Sequence, residues 1–291
     1  MKQERIPLAA GFFPAAAMGL LLLLCQALFS RGILPRSIAG VAGAELLAFV
    51  PLTVLLRLLK NEAGERPRFR FRPHKRQTVW CVAALSLTAA LLAALLNCGM
   101  ALLLDGHYYT QGIALEHYGI TGFGGLLLTA AVLPAVVEEL FFRGVLLSAL
   151  EPYGTWPALI LSSLAFALIH GNLYNFAGPL AAGMIYGYLT YVLDSVWPAI
   201  FAHLLNNGLS LALSGGARIC SALGLWPYVM LAILFCFCAA LALSMRSLER
   251  QIEKNRIRRL QYKPLGQALR GLLIAPGMWL LLVLFLIRVL K

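Results

Sequence analysis

The stretch VLPAVVEELFFRGVLL, residues 132–147, decides how this chain is read. Apart from Glu138, Glu139 and Arg143 it is apolar, with the character of a membrane-spanning segment. A charge at the centre of such a segment costs roughly 2.5–3.5 kcal/mol on insertion scales, which makes an intramembrane ionisable residue a functional-site candidate. Helical spacing gives the three charges different tasks. Glu139 and Arg143 stand four residues apart on one face, acid before base, the better order for an ion pair. Glu138 points about 100° away from them. One reading makes Glu139–Arg143 an internal ion pair and Glu138 the working carboxylate. The other makes all three a structural knot that fixes helix packing, and this segment alone leaves both open.

Composition extends the membrane reading to the whole chain. Of 291 residues, 60% are hydrophobic and only 12% charged, against roughly 25% charged in an average soluble domain. Mean hydropathy is +0.81. The apolar runs are continuous rather than alternating, so the expected fold is all-α, a polytopic transmembrane helical bundle of about eight or nine spans, and not a β-barrel. The first run is long enough to remain as a helix rather than serve as a cleaved signal peptide. The net charge of +12 gathers in two short basic loops beside helix ends. Topology by the positive-inside rule and attraction to anionic lipid explain it better than nucleic acid does. The six cysteines lie in or beside apolar runs with no CxxC, and read as buried small hydrophobes.

Taken in order, the apolar runs are residues 8–29, 38–59 (with a lone Glu45), 79–104, about 122–150, 158–170, about 177–193, 197–213, 223–245 and 265–290. The first basic loop, residues 60–76, alternates Arg66, Arg68, Arg70 and Arg72 with Pro67, Phe69 and Phe71. Such interleaving suits an interfacial segment on the cytoplasmic leaflet, with nucleic-acid reading as the alternative. The second basic loop is 246–263. Residues 105–121 carry no Lys or Arg and read as non-cytoplasmic. Alternating crossings then place the N-terminus inside and Lys291 outside. Ser214-Gly215-Gly216 is expected to break the seventh run, and Gly178-Pro179 and Pro198 are possible helix breaks.

Polar residues elsewhere fall at compatible depths. His170 ends the fifth run, four residues after Phe166, and His203 and Asn207 share a face of the seventh. At about 1.5 Å per residue, Glu138 and His170 each lie roughly 20 Å from the 151–157 turn, and His203 about 12 Å from the Asp194-Ser195 turn. If both turns are cytoplasmic, carboxylate, histidines and asparagine can meet in one layer. Asp105 and Asp194 sit at turns, where solvation accounts for them. Glu45 has no assigned role.

Three motifs now stand in order on separate segments. Glu138-Glu139-Leu140-Phe141-Phe142-Arg143 is an EExxxR motif, Phe166 to His170 an FxxxH motif, and His203 to Asn207 an HxxxN motif. Together they resemble the CPBP family (CAAX protease and bacteriocin-processing, also called Abi) of intramembrane endopeptidases. The resemblance covers about residues 122–214. It divides the chain into N-terminal transmembrane helices with a basic cytoplasmic loop (1–121), a protease core (122–214) and C-terminal transmembrane helices (215–291).

The resemblance implies hydrolysis of peptide bonds of membrane-proximal or lipid-modified substrates, in a multi-pass protein of the cell membrane. It casts Glu138 as general base, His170 as a holder of the attacking water, and His203 and Asn207 as stabilisers of the oxyanion. Glu139, Arg143 and Phe166 support them. The implied partners are membrane lipid and a membrane-associated peptide or protein, with no nucleic acid and no cofactor. Zinc is the rival, since two His and one Glu (Glu138, His170, His203) also form a catalytic zinc set, although HExxH is absent. Serine chemistry lacks a GxSxG elbow, and an aspartyl mechanism lacks two intramembrane Asp. The alternative from another class is a non-catalytic transporter, or a bacteriocin-immunity or scaffold protein, using the same polar layer.

Overall fold

Lipid offers backbone N–H and C=O groups no partner but one another, and the apolar runs answer with helices. The structure, a computed structural model, describes residues 8–30, 38–59, 66–72, 76–104, 123–253 and 276–290. The helices are α1 (Leu8–Ser30), α2 (Ile38–Leu58), α3 (Arg76–Leu104), α4 (Phe123–Leu127), α5 (Leu133–Glu139), α6 (Leu147–Leu150), α7 (Thr155–Ile169), α8 (Ala177–Leu193), α9 (Trp197–Ala222), α10 (Trp226–Glu253) and α11 (Pro276–Val289). Two π-helical segments, Leu128–Val132 and Leu140–Leu146, join α4, α5 and α6 into one continuous rod. The fold is therefore the expected polytopic helical bundle. Among the described residues, four helical stretches are long and apolar enough to cross a membrane: Gly40–Leu58, Thr78–Leu104, Gly124–Leu150 and Trp226–Gln251.

Four expectations need correction. Of the six cysteines expected to be buried, only Cys81 and Cys98 are; Cys25 and Cys220 are half-buried, and Cys236 and Cys238 lie on the exposed apolar face of α10. Ser214-Gly215-Gly216 does not end the seventh run, because α9 continues to Ala222. Each helical Gly costs about 1 kcal/mol, less than leaving backbone groups unpaired in an apolar setting. Gly178-Pro179 and Pro198 break nothing either. They occupy the first turns of α8 and α9, where a missing N–H is harmless. In place of that break, Asn97 of α3 reaches across, its Oδ1 accepting the Gly178 N–H at 2.9 Å and its Nδ2 donating to Asn175 at 2.8 Å. The second basic loop is shorter than its charges suggested, since α10 runs through Arg246 and Arg250 to Glu253. The whole 105–121 loop with Asp105, and Lys254, Arg256, Arg258 and Arg259, lie outside the described residues.

The core has two main parts. Phe13, Met18, Phe49, Phe141, Phe142, Phe166 and Phe285 join α1, α2, the α5–α6 rod, α7 and α11. Val82, Ala89, Tyr186, Leu189 and Ala202 join α3, α8 and α9. A smaller contact of α3 with α10 is pinned by Thr88 and Ser244, whose hydroxyls meet at 2.8 Å. Such bonds tie helices together where both lipid and protein are apolar. The remaining faces of α10, with Phe235 and Leu243 exposed, suit lipid.

Residues 66–72 lie across one end of the bundle. Arg68 N–H donates to Ser148 Oγ at 3.1 Å, and Val196 N–H donates to the Arg70 carbonyl at 2.9 Å. Arg70 grips Glu151 with both terminal nitrogens, Nη1 to Oε1 at 2.7 Å, and its Nε meets Asp194 at 3.2 Å. Arg72 meets the other Asp194 oxygen at 2.9 Å. Burial opposes the Arg70 charge, yet the neighbouring Glu151 and Asp194 hold its pKa above the ordinary arginine value. One arginine thus binds both turns, which shows that they share an end of the bundle, as the depth comparison required. Phe69 and Phe71 take part in this packing, Phe71 against Trp197 at 5.5 Å and Phe69 against Gly144.

Candidate active site

The two core clusters meet at Phe166 and Tyr186, 6.5 Å apart between ring centroids, and the polar residues collect around that seam. Glu139 is fully buried and central. Its Oε1 accepts from Arg143 Nη1 at 2.9 Å and faces His203 Nδ1 at 2.8 Å. The i,i+4 pairing expected from spacing is therefore present, although Arg143 sits within the π segment. That segment follows directly on Glu139, and π-bulges recur at functional positions.

Arg143 is held by more than charge. Its guanidinium lies 4.3 Å from the Phe166 ring centroid, 5.4 Å from Tyr186 and 5.7 Å from Phe142. These faces accept a cation without hydrogen bonds, which fits the absence of a hydrogen-bond partner for Nε and Nη2 among the described residues. Phe166 also meets both imidazoles edge-on, His170 at 5.0 Å and His203 at 5.5 Å. The FxxxH phenylalanine is thus the hub around which the charged groups are arranged.

Each histidine has one nitrogen committed. His170 Nδ1 lies 2.8 Å from the Phe166 carbonyl, which can only accept, so Nδ1 carries a proton and donates. Gly171 turns the chain immediately afterwards with φ 60°. A Cβ there would stand 2.7 Å from Arg288 Cγ, so glycine serves both the left-handed stop and the close approach of α11. His203 spends Nδ1 on Glu139 and stacks on Tyr186 at 5.6 Å, leaving Nε2 uncommitted.

Glu138 differs from Glu139 as the helical phase required. It is buried, takes part in no ion pair with Arg143 or His203, and its Oε2 has no hydrogen-bond partner among the described residues. Glu139, Arg143 and Glu45 all lie within electrostatic reach of it. Glu45 on α2 likewise has a buried Oε2 without a hydrogen-bond partner among the described residues. Asn207 stands one turn beyond His203, half-buried, with its Oδ1 3.4 Å from Asn206 Nδ2 and no hydrogen bond to the acids or histidines. Among the described residues, no three His, Cys, Asp or Glu side chains are grouped to hold a metal ion.

Sequence reading missed Tyr186 and Gly183. Gly183 and Gly187 form a GxxxG pair on α8, the small-residue signature of close helix approach, and that signal could have found them. A Cβ on Gly187 would meet Leu159 Cδ2 at 2.7 Å, and one on Gly183 would meet Arg143 Nη2 at 2.8 Å. Gly183→Ala is therefore expected to destabilise the protein by about 1–3 kcal/mol through overpacking. Gly99→Ala, with nothing within 4 Å of the new atom, is expected to be neutral or stabilising by about 0.5–1 kcal/mol. Equilibrium unfolding in detergent compares the two, and equal effects would refute the close fit.

Residues 121–209 match the family model described as type II CAAX prenyl endopeptidase Rce1-like. A curated relative, the Bacillus subtilis (strain 168) protein named "Putative membrane peptidase YdiL", is 28% identical over 83 residues, covering 28% of this chain and 34% of the relative. The chain thus matches about a third of that relative's length. No solved structure matches. The matched segment contains all three motifs, and over residues 121–209 the chain is similar to the CPBP-type endopeptidases.

Proposed function

We propose that the protein is an intramembrane endopeptidase that hydrolyses a peptide bond with water activated by Glu138. The observation that carries this reading is the buried Oε2 of Glu138, which has no hydrogen-bond partner among the described residues and lies within electrostatic reach of the Glu139–Arg143 pair that holds His203. Glu138 takes a proton from water while the water oxygen attacks the scissile carbonyl carbon. His170 Nε2 accepts the second water hydrogen and orients the attack. His203 and Asn207 face the developing oxyanion, where a lost donor costs about 3–4 kcal/mol in a characterised enzyme. The proton held by Glu138 passes to the leaving amine, and the carboxylate is restored. Glu139 and Arg143 act on substrate only through His203, as positioning residues.

The substrate in this reading is a membrane-associated peptide or protein, lipid-modified or close to the bilayer. A cavity of about 320 Å³ opens beside the His170 loop, walled by Leu168, Leu173, Phe176, Trp279 and Phe285, and it suits an acyl or prenyl chain. The second reading places zinc on Glu138, His170 and His203, with the same bond cleaved.

The test is proteolysis in liposomes with a library of lipidated and membrane-anchored peptides, for wild type, Glu138→Ala and His203→Ala. Cleavage by wild type is expected to survive chelation and to vanish in both variants. Loss on chelation with recovery on adding zinc would replace the glutamate mechanism with a metal one. Full biological activity of Glu138→Ala in cells would overturn the enzymatic reading.

A further inference from the structure

The arginines around residues 57–72 divide into two groups. Arg70 and Arg72 are matched by Glu151 and Asp194. Arg57, Arg66 and Arg68 have no carboxylate partner among the described residues, and all three line one cavity of about 540 Å³ with Thr53, Val54, Leu58, Pro67 and Phe69. The volume is in the range of small-ligand sites.

The cavity is built rather than incidental. Its floor is the 66–72 segment, fixed by the Arg68 N–H bond to Ser148 and the Arg70 clasp. Arg57 is set over the Phe69 ring at 4.7 Å, a contact that orients its guanidinium. Its other wall is the outer face of α2, where Val54 is 54% and Leu58 56% exposed. Positive charge at a rim and an apolar wall beyond it match an amphiphile with an anionic head. Location selects the same ligand, because a basic end of a helical bundle faces the cytoplasmic leaflet, and basic pockets there bind anionic head groups.

We propose that this cavity binds the phosphate of an anionic phospholipid. Arg57, Arg66 and Arg68 hold the head group, and Val54 and Leu58 lie along the start of an acyl chain. Phe69 forms part of the cavity and also wedges against Gly144, the residue after Arg143. A bound lipid therefore seats the segment that braces the candidate site's helix. This inference does not depend on the protease reading.

The experiment is native mass spectrometry of the full chain in detergent, titrated with phosphatidylglycerol or with phosphatidylcholine. Arg66→Gln/Arg68→Gln removes two head-group contacts and keeps Arg57 on Phe69. Arg246→Gln/Arg250→Gln removes the same charge from exposed positions of α10. Wild type is expected to retain one phosphatidylglycerol in preference to phosphatidylcholine. The 66/68 variant should bind it about thirtyfold more weakly, at about 1 kcal/mol per arginine, and Arg66→Gln alone about fivefold. The 246/250 variant should match wild type. Equal retention of both lipids by wild type, or equal weakening in both double variants, would overturn the proposal. Binding of inorganic phosphate alone, with displacement of lipid at equal concentration, would make this a soluble-anion site and overturn the lipid assignment.

Discussion

Glu138→Gln is expected to reduce peptide cleavage by about a thousandfold or more while leaving the protein folded. A positioned general base contributes about 10²–10⁴ in rate, and Gln keeps the shape of the side chain while removing its capacity to take a proton. Stability should change little because Glu138 makes no ion pair with Arg143 or His203 and its Oε2 has no hydrogen-bond partner. Losing the repulsion from Glu45 and Glu139 offsets losing the attraction of Arg143. Single-turnover cleavage in liposomes, paired with unfolding in the same detergent, checks both halves. A loss of activity that tracks a loss of folded protein would assign Glu138 to the structural knot. Retained cleavage would remove it from the chemistry altogether.

The second large effect belongs to Glu139 and Arg143, and it is one of stability. Arg143→Met leaves a fully buried carboxylate with only His203 beside it. Glu139→Gln leaves the buried guanidinium without its hydrogen-bonded carboxylate, among the Phe166 and Tyr186 rings. Breaking a buried pair from one side costs about 3–5 kcal/mol, because the remaining charge is desolvated without compensation. The double variant Glu139→Gln/Arg143→Met removes both charges and is expected to recover most of that loss, giving a coupling of at least about 2 kcal/mol in a double-mutant cycle. Additive losses would mean that the two residues act independently. The double variant should nevertheless cleave poorly, since His203 loses the anion that fixes its ring.

Much of this was legible before any coordinates. Continuous apolar runs gave the helices, because a backbone in lipid has few alternatives. The division between Glu138 and Glu139 followed from helical phase, and the Phe166–His170 and His203–Asn207 spacings each placed a histidine at the seam. Three things were hidden for physical reasons. The clasp of Arg70 on Glu151 and Asp194 joins residues 81 positions or more apart, and nothing local announces it. Tyr186 and Gly183 sit in an apolar run where the Gly183/Gly187 spacing marks a close helix approach but not which partner it meets. The continuity of α9 through Ser214-Gly215-Gly216 reverses a local signal, because tertiary and solvent demands on the backbone outweighed weak propensities.

The π segment Leu140–Leu146 carries one further consequence. A helix absorbs a single extra residue by widening one turn from i→i+4 to i→i+5 bonds, so this stretch has the form of an α-helix with one residue inserted. Taking one residue out would let the ordinary turn return. Every position beyond it would then swing by about 100° about the axis. Gly144 would leave Phe69, and Ser148 would leave the Arg68 amide, although no side chain at either contact had been altered. Chain length in this turn is therefore as much a determinant of the site as residue identity, and a substitution scan that preserves length would never detect it.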